Sequence, residues 1–134
     1  MKKLFIMNVF LIIFTVFSFS QEQSINDLKY DFFGIWNFEG IYYTVSNDRL
    51  VAHMPEDNTG FTITINSWEY IVNIREDSIN YPNGFKITGI MVNKTGNWWI
   101  DIGDSFTWIW FLNIDKNSFI DYDEDDGNVF YLRK

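Results

Sequence analysis

The sequence predicts an all-β fold, an antiparallel up-and-down barrel of about eight to ten short strands. Isoleucine, threonine, valine and aromatic residues are plentiful after Gly34, whereas Ala52 is the only alanine in the chain. This composition favours pleated sheet surfaces over helices. Apolar and polar residues also alternate, as they do where Phe61, Ile63 and Ile65 alternate with Thr62 and Thr64. Alternation with a period of two is typical of half-buried antiparallel strands.

The individual strands follow from this alternation and from the turn-forming residues between the runs. They are expected at Gly34–Phe38, Ile41–Val45, Leu50–His53, Phe61–Ile65, Trp68–Arg75, Phe85–Val92, Trp98–Ile102, Phe106–Ile114, Phe119–Tyr122 and Val129–Arg133. A turn is predicted at Asn66-Ser67, and a short helical turn is predicted within Gln21–Phe33, where Ser24 is suited to capping it. Strands of this length and spacing form a meander that closes as a barrel, or else a sandwich.

The beginning of the chain has the pattern of a cleavable secretory signal peptide. Lys2-Lys3 forms a basic start, Leu4–Phe17 is almost entirely apolar, and Ser18-Phe19-Ser20 places small residues before a cleavage site at Gln21. The apolar run is shorter than the roughly 18 residues that a membrane-spanning helix needs. A signal peptide is therefore predicted, with an uncleaved membrane anchor as the alternative.

We accordingly expect residues 1–20 to be removed and residues 21–134 to form one secreted or periplasmic domain, monomeric and without a membrane span after cleavage. The net charge of −8 is unsuited to binding nucleic acid or an anionic membrane surface, because both require a positive face. The chain has no cysteine, which excludes disulfides, thiol catalysis and cysteine-ligated metals. Its core alone must hold the domain together.

The first and last strands carry a pair of residues that is found together in a known family. The first strand opens with Gly34-Ile35-Trp36, and the last strand ends at Arg133. In this the chain resembles the lipocalins and their relatives in the calycin superfamily. The resemblance implies an eight-stranded barrel in which Arg133 packs over Trp36 at the closed end, through cation–π contact and hydrogen bonds to loop carbonyls. It further implies ligand binding inside the barrel.

Aromatic residues are the candidates for contacting such a ligand. The chain contains 6 tryptophans, 7 tyrosines and 14 phenylalanines. These residues suit an aromatic cavity wall, and they equally suit the filled interior of a small barrel, so both interpretations stay open. The residues predicted to bind the ligand are Tyr70, Met91, Trp98, Trp108 and Trp110.

Two hypotheses for the function follow. The first is an exported lipocalin-like binding protein for a small hydrophobic or amphipathic ligand. The alternative is a non-enzymatic interaction protein with a solid barrel core, which docks another protein or a cell-surface polymer through exposed residues such as Trp99, Ile109 and Phe111. The strand Phe106–Ile114 is apolar on both faces, so that a partner, a loop or a ligand is expected to cover one of them.

No enzyme activity, cofactor or metal site is predicted. The acidic run Asp121–Gly127 fails as an EF-hand loop, because Asp126 stands where glycine is required and Leu132 where the last ligand is required. It is interpreted as a solvated hairpin turn. His53 is the only histidine and has no catalytic partner nearby in the sequence, and no nucleophile, phosphate-loop or zinc motif is present.

Overall fold

The structure, a computed structural model, describes residues 25–71, 74–76, 79–122 and 129–133. Residues 25–30 form a short helix, and it is not long and apolar enough to cross a membrane, nor is any other helix in these ranges. Residues 1–20, to which the signal peptide was assigned, lie outside the described part of the chain. The ten described strands are β1 (Gly34–Phe38), β2 (Ile41–Val45), β3 (Arg49–Met54), β4 (Thr59–Ile71), β5 (Ile74–Glu76), β6 (Ile79–Tyr81), β7 (Asn83–Thr95), β8 (Ser105–Leu112), β9 (Ser118–Asp121) and β10 (Val129–Arg133).

Eight of these strands form a closed antiparallel barrel in the order β1-β10-β9-β8-β7-β4-β3-β2. Each barrel strand pairs with its two neighbours in this order. The ring is closed because β1 pairs with both β2 and β10. The remaining two strands, β5 and β6, form a separate hairpin between β4 and β7. The predicted all-β up-and-down barrel is thereby confirmed, and a closed barrel has no open strand edges.

The alternation of side chains determines which face of each strand points inward. Ile63 and Ile65 of β4 are buried, as are Phe85 and Ile87 of β7, whereas Lys86 between the last two is exposed. Neighbouring strands turn their apolar faces to the same side because the register pairs these positions, for example Ile63 with Met91. The interior is therefore built from alternate residues of every barrel strand.

The turn predicted at Asn66-Ser67 is wrong, because β4 runs without interruption past these residues. The pairing with β7 instead shifts between Ile65 and Ser67, which marks a β-bulge. A bulge inserts one extra residue into a strand, so that the alternation is offset by one position after it. Ile65 before the bulge and Trp68 after it consequently both face the interior, although they are three residues apart.

The strand predicted at Trp98–Ile102 is also wrong, because these residues belong to the loop between β7 and β8. Gly96 and Gly103 on either side have φ angles of 94° and 98°, which interrupt extended backbone. Lys94 holds the loop in place by donating from Nζ to the carbonyl oxygen of Ile100 at 2.8 Å.

A second apolar cluster on the outside of the barrel explains why β8 is apolar on both faces. Phe111, Ile120 and Tyr81 are buried together there, and Ile71, Ile109 and Tyr122 pack around them. The chain itself thus covers the outer face of β8. Phe111, which was predicted to be exposed for docking, is 2% exposed, and Ile109 is half-buried. The prediction of exposure is therefore wrong for Phe111.

Arg133 lies over the indole ring of Trp36, with its guanidinium carbon 4.2 Å from the ring centroid. The two residues are direct partners in the β1–β10 ladder. The guanidinium also donates from Nε to Lys116 O at 2.9 Å, from Nη1 to Phe33 O at 3.2 Å and from Nη2 to Asp31 O. One side chain thereby joins two backbone segments, the one before β1 and the one before β9, to the strand that closes the barrel.

The glycine before Trp36 makes this arrangement sterically feasible. Gly34 has a φ of 127°, a value that side chains strongly disfavour, and a Cβ atom there would lie 3.2 Å from Arg133 Nη1. Trp36 is completely buried and donates from Nε1 to Phe32 O at 2.8 Å. The short sequence Gly34-Ile35-Trp36 therefore has a steric and a hydrogen-bonding role here.

We expect Arg133→Met to lower the free energy of unfolding by about 2–4 kcal/mol, because it removes charge-assisted hydrogen bonds and the cation–π contact. Urea unfolding followed by tryptophan fluorescence measures the change. Arg49→Met, which removes an arginine from an exposed position on β3, is the matched control and should change the unfolding free energy by less than about 0.5 kcal/mol. Equal effects of the two substitutions would contradict this role of Arg133.

Candidate ligand-binding cavity

The barrel contains a cavity of about 230 Å³ that is partly open to solvent. Eight of the residues that line it are aromatic, namely Tyr43, Phe61, Trp99, Phe106, Trp108, Trp110, Phe119 and Tyr131. The others are Val45, Leu50, Ile63, Ile100 and Asp121. Strands β2, β3 and β4 thus supply three of the four aliphatic residues of the wall and two of its aromatic rings. Strands β8, β9 and β10 supply five rings and the carboxylate, and Trp99 and Ile100 come from the loop between β7 and β8.

The inward face of β8 provides a continuous aromatic surface. Phe106, Trp108 and Trp110 project to the same side because they are two residues apart. Their rings are stacked in succession, with centroids 5.4 Å apart between Phe106 and Trp108 and 5.6 Å apart between Trp108 and Trp110. Such offset stacking adds to the stability that burial itself provides, and it fixes the orientation of the cavity wall.

The interior beside the cavity is filled by a cluster of aromatic rings. Phe32 is fully buried, and its ring lies 5.7 Å from Phe85 and 5.8 Å from Phe119, in edge-to-face geometry. Trp110 stacks on Phe32 at 6.3 Å, and Phe119 meets Trp36 at 4.7 Å. Because Trp110 and Phe119 belong to both this cluster and the cavity wall, they form part of the boundary between the two.

The loop between β7 and β8 covers part of the cavity. Ile100 is 4% exposed and lines the wall, whereas Trp99 beside it is 88% exposed while still contributing to the lining. Lys94 forms an ion pair with Asp101 at 2.7 Å, which lowers the pKa of that carboxyl, and Asp101 N donates to Asp104 Oδ2 at 2.9 Å. The position of Ile100 in the wall is therefore fixed by polar contacts on the outside of the loop.

The polar groups of the wall lie together where β2, β9 and β10 contribute to it. Burial, and secondarily the charge of Asp121, raises the pKa of Tyr43 to about 12. Burial likewise raises the pKa of Tyr131, and the charges of Tyr43 and Asp121 raise it further. The two phenol rings meet edge to face with centroids 5.2 Å apart. Both phenols consequently stay protonated at neutral pH and can donate hydrogen bonds.

The indole nitrogen of Trp110 is a polar group buried behind the wall. The residue is 3% exposed, and its Nε1–H has no hydrogen-bond acceptor among the described residues. A buried donor without an acceptor costs roughly 1–3 kcal/mol relative to a satisfied one. Because the nitrogen atom itself is inaccessible, a ligand in the cavity does not reach it, and the cost belongs to the fold.

Of the five residues predicted to bind a ligand, two line the cavity. Trp108 and Trp110 both line the cavity. Tyr70, Met91 and Trp98 are not among the described residues that line it. Tyr70 is 39% exposed and packs on the edge of Phe85, and Met91 is completely enclosed by other side chains.

Trp98 lies next to the cavity without lining it. Its ring meets that of Phe61 edge to face at 4.9 Å, and Phe61 is a lining residue. The indole Nε1 of Trp98 donates to Thr95 O at 3.1 Å, which ties the residue to the start of the loop. Trp98 therefore supports the wall from behind.

Sequence reasoning did not select Tyr43, Asp121 or Tyr131 as site residues. Asp121 was assigned to the acidic run, most of which lies outside the described part of the chain, but Asp121 itself is the last residue of β9. The alternation could have identified it, because Asp121 follows the inward-facing Phe119 by two positions. Tyr131 pairs with Phe119 across the β9–β10 ladder and faces inward for the same reason.

The described residues show no arrangement suited to metal binding. No group of three or more His, Asp and Glu residues comes close enough to hold a metal ion within the described ranges. His53 is exposed on β3. The cavity wall thus offers hydrogen-bond donors, one carboxylate and aromatic surface.

Comparison of the chain with protein-family models, with curated proteins and with solved structures gives no match. The fold and the cavity therefore define the class of protein by themselves. It is a closed eight-stranded antiparallel barrel with an internal, largely aromatic cavity.

The raised pKa of Tyr43 predicts a loss of stability in alkali. An unfolded tyrosine ionises near its ordinary value of 10.0, whereas folded Tyr43 holds its proton until about pH 12. Its contribution is therefore fully present below pH 10 and is lost between pH 10 and about 12, at a rate on the order of 1 kcal/mol per pH unit. Urea unfolding over this pH range should show a shallower loss for Tyr43→Phe than for the unsubstituted protein. Identical slopes would contradict the burial of this phenol.

Proposed function

We propose that this protein is an exported, non-enzymatic, lipocalin-like binding protein for a small hydrophobic or amphipathic ligand. The observation that carries the proposal is the cavity of about 230 Å³ with its aromatic wall. Ligand sites in proteins are concave, mostly apolar and equipped with a few polar groups that orient the ligand. The carboxylate of Asp121 and the phenols of Tyr43 and Tyr131 are such groups.

The volume limits the size of the ligand. A cavity of about 150 Å³ accepts benzene, so a cavity of 230 Å³ has room for about nine non-hydrogen atoms. It is smaller than the roughly 300–1,000 Å³ of sites that hold drug-sized ligands. A molecule with one ring or a short chain fits, whereas a long-chain lipid does not fit within this volume.

The number of ligand atoms that fit in the cavity also determines the expected affinity. Apolar surface contributes about 25 cal/mol per Å² removed from water, and association entropy opposes binding. At roughly 0.5–0.6 kcal/mol per non-hydrogen atom, nine or ten atoms give about 5–6 kcal/mol. This corresponds to a dissociation constant on the order of 0.1 mM.

The lipocalin-like part of the proposal is supported by the first and last strands. Gly34, Trp36 and Arg133 are arranged as the family resemblance implies, with the guanidinium over the indole and bonded to loop carbonyls. Export is supported by the sequence of residues 1–20, which has the basic start, apolar run and small residues of a signal peptide.

The alternative function, docking of a protein or polymer, is favoured by one observation. Trp99 is 88% exposed and Ile102 in the same loop is 61% exposed. These two side chains form an apolar tip beside the cavity. Because the interior holds a cavity and Phe111 is buried, the ligand-binding function has more support than docking through a solid barrel.

The proposed function is tested by filling the cavity from its aliphatic side. Val45 is buried and lines the wall, so Val45→Phe reduces the volume available to a ligand. Val92→Phe, which makes the same change at an exposed position of β7, is the matched control. Suitable ligands to titrate are indole, phenethyl alcohol, cyclohexanol, phenethylamine and hexanoate, with tryptophan fluorescence and calorimetry as readouts.

We expect at least one of these ligands to bind the unsubstituted protein and the Val92→Phe protein equally well. Val45→Phe should weaken that binding by at least about tenfold, which equals about 1.4 kcal/mol. Absence of binding by the whole set, or equal binding by the Val45→Phe protein, would overturn the proposal. The Trp99→Ser protein should still bind the same ligand, because Trp99 lies at the exposed margin of the wall.

A further inference from the structure

We propose that the cavity selects small organic cations, in which an ammonium group is attached to a single ring or a short apolar chain. The ammonium group binds beside Asp121 and against the rings of Tyr43 and Tyr131, and the apolar part of the ligand occupies the rest of the cavity. This inference rests on the proposed function and specifies the ligand class of the same site.

The charge of the cavity wall is the first observation. Asp121 is the only charged residue among the described residues that line the cavity, and none of them is Lys, Arg or His. Its position is fixed by the ladder, since Asp121 pairs directly with Trp110 of β8. Trp110 faces inward, and cross-strand partners project to the same side of a sheet, so the carboxylate also faces the cavity.

The rings next to the carboxylate are the second observation. The ring of Tyr43 is nearly perpendicular to that of Tyr131, at 85°, with their centroids 5.2 Å apart. Phe119 lies parallel to Tyr131 with centroids 4.6 Å apart, on the same interior side. All three rings line the cavity, and a ring face that borders it attracts an ammonium group through cation–π interaction.

The charge of Asp121 also acts on the phenols of Tyr43 and Tyr131. Burial is the main cause of the raised pKa of both phenols, and the carboxylate raises it further, because a negative charge disfavours ionisation of a nearby phenol. The same field that disfavours a phenolate favours an ammonium ion. In a partly buried site, where water screens charges less than in bulk solvent, this attraction is stronger than at the surface.

The same features disfavour an anionic ligand. A carboxylate placed in this cavity would be desolvated near Asp121, without a cationic side chain among the described lining residues to compensate its charge. The whole chain has a net charge of −8, which attracts cations and repels anions at longer range. Among amphipathic molecules of the right size, the structure therefore favours amines over acids.

Contacts that Asp121 makes within the fold are compatible with this role. A carboxylate has two oxygen atoms and accepts about four hydrogen bonds, so it can retain a protein contact and still accept from an ammonium group. Hydrogen bonds that involve a charged donor and a charged acceptor are about twice as strong as neutral ones. An amine is therefore expected to bind more tightly than an alcohol of the same shape.

The test compares three ligands that share a phenyl ring and differ in the polar group: phenethylamine, phenethyl alcohol and phenylacetate. At neutral pH the first is a cation, the second is neutral and the third is an anion. We expect phenethylamine to bind the unsubstituted protein at least about tenfold more tightly than phenethyl alcohol, and phenylacetate to bind weakest. This comparison requires no variant, so it does not depend on how a substitution folds.

Asp121→Asn then tests the residue. It should weaken the binding of phenethylamine by at least about tenfold and weaken the binding of phenethyl alcohol by much less, because the alcohol loses only a neutral hydrogen-bond donor's contact with the carboxylate. Glu69→Gln removes one negative charge from an exposed position of β4 and is the matched control for net charge. Near-ultraviolet circular dichroism establishes that the variants keep their aromatic packing.

The outcomes separate the two proposals. If phenethyl alcohol or phenylacetate binds as tightly as phenethylamine, the ligand class proposed here is wrong, while the binding function stands. If indole or cyclohexanol binds and phenethylamine does not, the same conclusion follows. If no ligand binds, the proposed function fails, and this inference fails with it. If Asp121→Asn and Glu69→Gln weaken amine binding equally, the attraction comes from net charge and the assignment to Asp121 is wrong.

Discussion

The narrow interior of an eight-stranded barrel is the constraint on which the other features depend. Such a barrel is just wide enough for its own side chains, or for these and one small ligand. Here the interior is divided between the two uses. Phe32, Trp36 and their neighbours fill one part, and the wall that includes Trp108 and Tyr131 leaves the other part open. The presence of Phe32 inside the barrel is therefore as important for the size of the cavity as the wall itself.

The sequence was sufficient to predict the fold class because alternation is a local property. That Trp108 and Trp110 share one face of their strand followed directly from their spacing of two, although the spacing did not determine which face points inward. The bulge after Ile65 could not be predicted in this way, because the pattern Asn66-Ser67 also suits a turn, and only pairing with β7 distinguishes the two. The loop at Trp98–Ile102 was mistaken for a strand because its apolar residues are β-formers, although glycines with positive φ angles flank it.

The candidate site was harder to predict than the fold because it combines residues from distant strands. Tyr70 and Met91 lie on the inward face of their strands, as Trp108 does. The alternation does not indicate whether a residue lies at the level of the cavity along the barrel axis. For Asp121 and Tyr131, the information that was needed is the pairing between neighbouring strands. Asp121 was assigned to a solvated turn and Tyr131 was not selected, whereas the register with Phe119 and Trp110 brings both inside.

The order of the strands has a consequence for how the protein folds. Neighbours in the barrel are close along the chain except at β1 and β10, where Arg133 bonds to a carbonyl 100 residues away. Local hairpins have a small loop-closure entropy, so they form readily, and the joining of these two strands is the long-range step. A chain that lost β10 would expose the edges of β1 and β9 together. Unpaired edges are templates for pairing between molecules, so the last strand protects the protein against aggregation as well as completing its interior.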